Sequence, residues 1–100
     1  MCGIVGVIGS QVAEFVEDMN QSQYHRGPDD CGFYRNKQWG LSLAMRRLSI
    51  IDLDGGQQPM VSNDSRYVLV FNGEIFNANE LRLGLERQGE QFETDHSDTE

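Results

Sequence analysis

The chain has 100 residues, a formal net charge of −8, 38% hydrophobic residues and 24% charged residues. This size and composition indicate one small globular domain and exclude a disordered chain. All of the excess negative charge lies in residues 51–100, where eleven carboxylates accompany three arginines. A basic stripe is therefore missing, and nucleic acid is not expected as a partner.

The two cysteines, Cys2 and Cys31, are too few for a disulfide scaffold, and the first stands where a disulfide would constrain little. A reduced, cytoplasmic protein is expected. The apolar run at 2–8 has no basic segment before it and is too short for a signal peptide. No run approaches the roughly 18 apolar residues of a membrane span, so no membrane partner is expected.

The first elements alternate between strand and helix patterns. Residues 2–8 are apolar and β-branched, which is typical of a buried strand. Residues 12 to about 24 predict a helix, because apolar side chains recur on one helical face. This stripe consists of Val12, Phe15, Val16 and Met19. Glycine and proline within 25–30 predict a loop.

Several short strands are expected in the middle of the chain. Two of them, at 31–34 and 39–45, flank a turn at Asn36-Lys37, and a further apolar stretch follows at 48–53. The next residues look irregular up to a turn at Asn63-Asp64. The irregular segment is 57–62.

The strongest strand signal lies at 67–71, and a helix follows it. Asn77 is the expected N-cap, with Glu80 in the capping-box position, and Gly89 is the expected C-cap. A short strand is expected at 91–94. Strands and helices in this order predict an α+β fold, a sheet with helices packed on it.

Cys2 is the first candidate for chemistry. Once Met1 is removed, a thiol and a free α-amine belong to the same residue. An α-amine has an unperturbed pKa of about 7.7–8.0, so it can accept the proton of the thiol and activate it as a nucleophile. The alternative is that Cys2 is a small apolar residue at the start of a strand.

Three polar features elsewhere suit acyl transfer from an amino acid. Asn72-Gly73 can direct a side-chain amide and a backbone N–H at an oxyanion, and Arg47 can bind a carboxylate through two hydrogen bonds. Asp98 can pair with an α-ammonium. The alternatives are a hairpin turn, a surface arginine and a solvated acidic segment. No metal site is predicted.

Six short motifs stand in order along the whole chain. They occupy residues 1–6, 25–30, 47–52, 58–60, 71–77 and 97–100. Together they resemble the glutaminase domain of glutamine-dependent asparagine synthetases, which are class II glutamine amidotransferases. The Arg-Gly-Pro-Asp sequence at 26–29 favours the asparagine-synthetase branch. The chain departs from the family pattern at Cys31, where an acidic residue is common, and at Met45, where many members have histidine.

The resemblance implies an N-terminal nucleophile hydrolase fold, a four-layer αββα sandwich. Residues 1–100 would hold the first half of this domain, which would continue past residue 100. It also implies a set of site residues. Cys2 would be the nucleophile and its α-amine the base, Asn72 and Gly73 the oxyanion hole, Arg47 the carboxylate ligand and Asp98 the ammonium ligand, with the Ile51 main chain and Glu74 lining the pocket.

The implied function is hydrolysis of the glutamine side-chain amide through a Cys2 thioester. Ammonia would pass to a synthetase domain that uses ATP and magnesium, with aspartate as acceptor. No cofactor is expected within residues 1–100, and a homodimer is one assembly that the resemblance allows. The alternative is a non-catalytic amidotransferase-like domain that binds an amino acid or a protein partner, but the presence of Cys2 favours an active enzyme.

Overall fold

The computed structural model describes residues 1–9, 14–48, 56–95 and 97–100. Seven elements follow one another in these residues. They are β1 (Gly3–Ile8), α1 (Phe15–Ser22), β2 (Asp30–Asn36), β3 (Leu41–Arg47), β4 (Met60–Val61), β5 (Val68–Leu69) and α2 (Ala78–Arg87). The helices and the two antiparallel sheets confirm the predicted α+β class.

The larger sheet has the strand order β1-β3-β2, and both pairings are antiparallel. The predicted hairpin between β2 and β3 is present, but its turn lies at 37–40 and Asn36 is the last residue of β2. Asn36 Oδ1 accepts a hydrogen bond from the Trp39 N–H at 3.2 Å across this turn. The central strand β3 is buried on both faces, since Ala44 is 0% exposed and Met45 only 2%. The face with Ala44 therefore forms a small core, and the face with Met45 contributes to a cavity.

Helix α1 packs on the Ala44 face of this sheet. Val16 contacts Val5 and Ala44 in a small apolar core. The predicted apolar stripe is wrong for Phe15 and Met19, which are 56% and 43% exposed. The buried helical positions are instead Val16 and Asn20, because a narrow i, i+4 stripe is enough to cover small side chains such as Ala44. Val12 lies outside the described residues.

The helix ends at Ser22, two residues before the predicted end. The chain then closes consecutive tight turns, from the Gln23 N–H to the Asn20 carbonyl and from the Tyr24 N–H to the Gln21 carbonyl. The helix is fixed to the sheet by polar contacts at both ends. These are an Arg35–Glu17 salt bridge of 2.8 Å, a hydrogen bond from Arg46 to the Asn20 carbonyl and a further one from Arg46 to Gln21.

The smaller sheet pairs only two residues of each strand. The predicted strand at 67–71 is therefore too long, and the irregular segment predicted at 57–62 contains β4. The physical reason lies at Phe71, whose N–H donates to the Gln58 side chain instead of a strand partner. The turn predicted at Asn63-Asp64 is confirmed by a hydrogen bond from the Ser65 N–H to the Ser62 carbonyl at 2.8 Å.

Helix α2 begins after the predicted N-cap, and its C-cap is Gln88, one residue before the predicted Gly89. Asn77 is its N-cap but makes no side-chain capping hydrogen bond, so the predicted capping box does not form. Gly89 has a φ of +97°, and the N–H groups of Gly89 and Glu90 close the end of the helix on the carbonyls of Glu86 and Leu85. Neither described helix is long and apolar enough to cross a membrane.

The predicted strand at 91–94 is wrong. The N–H groups of Glu93 and Thr94 donate to the Glu100 carboxylate instead of to a neighbouring strand. Since β-strands alternate between faces, Ile4, Ile8 and Met45 lie on the sheet face opposite α1. Ile8 is 80% exposed there, whereas Met45 is covered by segments of the second half of the chain.

Candidate active site

A cavity of about 240 Å³ lies at the Cys2 end of the larger sheet, on the face opposite α1. The sheet contributes Cys2, Met45 and Arg47 to its walls. The second half of the chain contributes Gly56, Gln58 and the segments 71–73 and 97–99. Residues that are far apart in sequence thus surround one space between the sheet and the segments that cover it.

Cys2 stands just before β1 and is half-buried. Its carbonyl oxygen accepts two hydrogen bonds, one from Arg26 Nε and one from Asn72 Nδ2, each of 3.0 Å. The residue at the start of the strand is therefore held by chain segments 24 and 70 residues away. Met1 is 74% exposed, so its removal takes away no buried contact.

Asn72-Gly73 does not form the hairpin turn that was the alternative interpretation. No strand follows it before α2, and the Asn72 side chain contacts Cys2 instead. The amide nitrogen of Asn72 carries two hydrogens, and the Cys2 carbonyl accepts one of them. A Cβ at Gly73 would come within 2.8 Å of the Phe71 ring, so a side chain at this position would require the ring to move.

Arg47 and Asp98 place opposite charges on the walls of the cavity. Arg47 lies at the end of β3, where its carbonyl accepts the Asp29 N–H at 3.2 Å. Asp98 Oδ2 accepts the Ile75 N–H at 2.9 Å, which ties the Asp98 segment to the chain that follows Gly73. An amino acid carries a carboxylate and an ammonium that are complementary to these two charges.

The segment that carries Asp98 is held by Arg82 of α2. The guanidinium donates to the carbonyls of Thr94 and Ser97 and lies 4.3 Å from the centre of the Phe92 ring. Glu100 accepts the Thr94 N–H at 2.9 Å and the Thr94 hydroxyl at 2.8 Å.

Burial of the Glu100 carboxyl raises its pKa, but the hydrogen bonds from Glu93 and Thr94, together with the charge of Arg82, outweigh burial and leave the pKa below its usual value. A carboxyl whose pKa is lowered by folding stabilises the fold above its unfolded pKa, and this contribution is lost as the pH falls through the lowered value. This contribution of Glu100 to the stability of the fold is therefore present at neutral pH.

Five of the seven predicted site residues line the cavity together. They are Cys2, Arg47, Asn72, Gly73 and Asp98. Glu74 is exposed and is not among the lining residues, and Ile51 lies outside the described residues. The chemical roles assigned to these residues stay predictions.

Sequence reasoning gave no role to Arg26 or to Gln58. Arg26 binds the Cys2 carbonyl, and Gln58 lines the cavity. Both stand in motifs that were recognised, but neither had been given a role. Of the two departures from the family pattern, Met45 is buried in the cavity wall, whereas Cys31 is exposed on β2. Within the described residues, no three histidine, cysteine or acidic side chains form a group that could hold a metal ion.

The family model of the glutamine amidotransferase domain matches residues 1–100. Glutamine-hydrolysing asparagine synthetase 1 of Bacillus subtilis is 47% identical over 107 residues, which cover 100% of this chain and 16% of that protein. The glutamine-hydrolysing asparagine synthetase of Brassica oleracea is 45% identical over 91 residues, 85% of this chain and 15% of that protein. The chain therefore spans only a small part of the relatives that it matches.

Proposed function

The chain belongs to the glutamine amidotransferase domain family, and we propose that it carries the site that hydrolyses the side-chain amide of glutamine to glutamate and ammonia. The observation that supports this most directly is the Cys2 carbonyl, which both Arg26 and Asn72 bind beside the cavity. Arg47 and Asp98 lie on the same walls. A nucleophile, an amide donor and two opposite charges thus surround one space.

The two charges orient the substrate in this proposal. Arg47 binds the α-carboxylate of glutamine through its planar guanidinium, and Asp98 binds the α-ammonium. The side chain of glutamine then points toward Cys2, so the amide carbon is presented to the thiol. These contacts at the α-carbon end of glutamine hold its side-chain amide in the orientation that attack by the thiol requires.

Attack on the amide carbon requires that the thiol lose its proton. After removal of Met1, the α-amine of Cys2 takes this proton, and the sulfur forms a bond to the side-chain carbonyl carbon of glutamine. The carbonyl oxygen becomes an oxyanion. The Asn72 amide and the Gly73 backbone N–H donate to this oxyanion, where the negative charge develops.

Collapse of the tetrahedral intermediate breaks the carbon–nitrogen bond. The α-ammonium of Cys2 returns its proton to the leaving nitrogen, and ammonia departs from a γ-glutamyl thioester. Water, deprotonated by the same amine, then attacks the thioester and releases glutamate and the Cys2 thiol. The chain's own amino terminus serves as base and acid in both halves of the reaction.

We propose that residues 1–100 are the first part of a larger domain with the four-layer αββα architecture. The radius of gyration of 14.7 Å exceeds the roughly 13 Å of a compact 100-residue domain. Large apolar side chains such as Ile8 and Phe76 are 80% and 95% exposed, and further layers of the same domain would cover such surfaces.

The proposal extends to the whole protein. Ammonia would pass to an ATP- and magnesium-dependent synthetase domain outside residues 1–100, with aspartate as acceptor. The names of the relatives support asparagine synthesis, and the assembly would be a homodimer. Both cysteines are free thiols, which supports a reducing, cytoplasmic location.

Covalent labelling tests the proposed nucleophile. We expect an electrophilic glutamine analogue to add once to the natural full-length protein, at Cys2 and not at Cys31, because only Cys2 lies in a cavity that recognises an amino acid. Intact mass and peptide mapping measure the site and also show whether Met1 is absent. Glutamine should slow the labelling, whereas D-glutamine should not.

The same measurement separates the enzyme from the alternative of a binding domain. A protein that retains Met1, or whose Cys2 is not labelled although glutamine binds, would favour a non-catalytic domain. Labelling of Cys31 at the same rate as Cys2 would show general thiol reactivity and would contradict the proposed recognition.

Arg47→Ala tests the carboxylate ligand. We expect the KM for glutamine to rise by about 10- to 150-fold, because a hydrogen bond to a charged group is worth about 1.5–3 kcal/mol. The kcat should change less, since Arg47 binds the non-reacting end of the substrate. Arg87→Ala, at an exposed arginine near the end of α2, is the control and should leave KM unchanged. An unchanged KM in Arg47→Ala would remove Arg47 from the site.

A further inference from the structure

Gln58 connects the two functional walls of the cavity through its side chain. Its Oε1 accepts the Phe71 N–H at 2.6 Å, and its Nε2 donates to the Thr99 hydroxyl at 3.2 Å. Both contacts are partly buried, and they span 13 and 41 residues of sequence. Each polar atom of this side chain therefore has a partner in a different segment.

The two partners stand directly beside residues of the proposed mechanism. Phe71 precedes Asn72, the proposed oxyanion donor, and Thr99 follows Asp98, the proposed ammonium ligand. The Gln58 amide thus links the wall at the reacting end of glutamine to the wall at its α-amino end. A second hydrogen bond between these walls runs from the Ile75 N–H to Asp98, but it uses the carboxylate that the substrate would engage.

The backbone of Gln58 is itself fixed against the larger sheet. A Cβ at Gly32 of β2 would overlap the Gln58 carbonyl oxygen, so only glycine at this strand position lets the two backbones approach so closely. The backbone of Gln58 therefore lies against the same sheet whose end carries Arg47. From this position its side chain binds Phe71 on one wall and Thr99 on the other.

We propose that Gln58 is a positioning residue that sets the distance between Asn72 and Asp98, and so the length of amino acid that the cavity accepts. This inference rests on the proposed glutamine hydrolysis. Gln58 acts through Phe71 and Thr99 because both of its polar side-chain atoms are already engaged there. Asn72 keeps its own hydrogen bond to the Cys2 carbonyl, so the reacting end of the cavity stays anchored when Gln58 is lost.

Gln58→Met tests this role, because methionine has similar length and no hydrogen-bonding amide. In the natural full-length protein, we expect the KM for glutamine to rise about tenfold, the factor that corresponds to one typical hydrogen bond. The kcat and the rate at which iodoacetamide alkylates Cys2 should stay near those of the natural protein. Gln57→Met, at the neighbouring exposed glutamine, is the matched control.

Thr99→Val provides a second variant with almost the same shape, in case Gln58→Met does not fold. It replaces the Thr99 hydroxyl by a methyl group, and we expect it to raise the KM for glutamine as well. The double variant should have the KM of Gln58→Met alone, because both changes break the same connection. Multiplication of the two effects, or an unchanged KM in both single variants, would overturn the proposal, as would a loss confined to kcat.

The controls separate this inference from the proposed function. If the natural protein and Gln57→Met hydrolyse glutamine and Gln58→Met matches them, only the role of Gln58 is wrong. If neither the natural protein nor Gln57→Met releases glutamate from glutamine, the proposed function is wrong and the positioning role is rejected with it.

Discussion

Glutamine hydrolysis is expected to be lost when the α-amine of Cys2 is converted to an amide. Insertion of one glycine between Met1 and Cys2 does this, because removal of Met1 then leaves the glycine attached to the Cys2 nitrogen. An amide nitrogen is not basic, so the thiol loses its proton acceptor. Positioned acid–base groups typically contribute about 10²- to 10⁴-fold, and here one group serves both steps of the reaction. Glutamate release by the full-length protein measures the loss.

A cleavable extension provides the internal control for this experiment. A specific protease site that ends directly before Cys2 should keep the protein inactive until cleavage, and activity should then return. The melting temperature should not change, because Met1 is 74% exposed and an extension at this position displaces no core residue. An uncleaved protein that hydrolyses glutamine at the natural rate would show that the α-amine is not the base.

Local sequence patterns predicted the elements whose hydrogen bonds are local or lie in one hairpin. The first strand, the β2–β3 hairpin and the left-handed Gly89 are present, because a β-branched run, the Asn36 side chain and a glycine each act over a few positions. The strand at 67–71 is shorter than predicted and the strand at 91–94 is absent for the opposite reason. A strand needs a partner, and in the described residues side chains of Gln58 and Glu100 bind the backbone of these segments instead.

The sequence predicted several residues that line the cavity, but it did not predict the hydrogen bonds that hold them in place. Motif order brought Cys2, Asn72 and Asp98 together without any knowledge of the fold, and the structure places them around one cavity. Arg26 and Gln58 escaped prediction because their partners are 24, 13 and 41 residues away. The predicted apolar stripe of the first helix also omitted Asn20. This residue is 1% exposed, and its side chain has no hydrogen-bond partner among the described residues.

Asn72→Ala is expected to lower the kcat for glutamine by about 10²- to 10³-fold, the equivalent of about 2.7–4 kcal/mol for one oxyanion donor. The reason is that alanine removes the side-chain donor and leaves only the Gly73 backbone N–H. KM should change less than kcat, because the donor is strongest toward the charge of the transition state. Asn77→Ala is the control, since the Asn77 side chain makes no capping hydrogen bond.

Asn72 also holds the Cys2 carbonyl at 3.0 Å, so its removal could lower turnover merely by displacing the nucleophile. Alkylation of Cys2 by iodoacetamide separates the two effects, because this displacement at carbon forms no oxyanion. If Asn72 stabilises the oxyanion, turnover falls steeply while the alkylation rate stays close to that of the natural protein, since Arg26 still binds the carbonyl. If both rates fall together, Asn72 acts by positioning Cys2, and the oxyanion assignment is wrong.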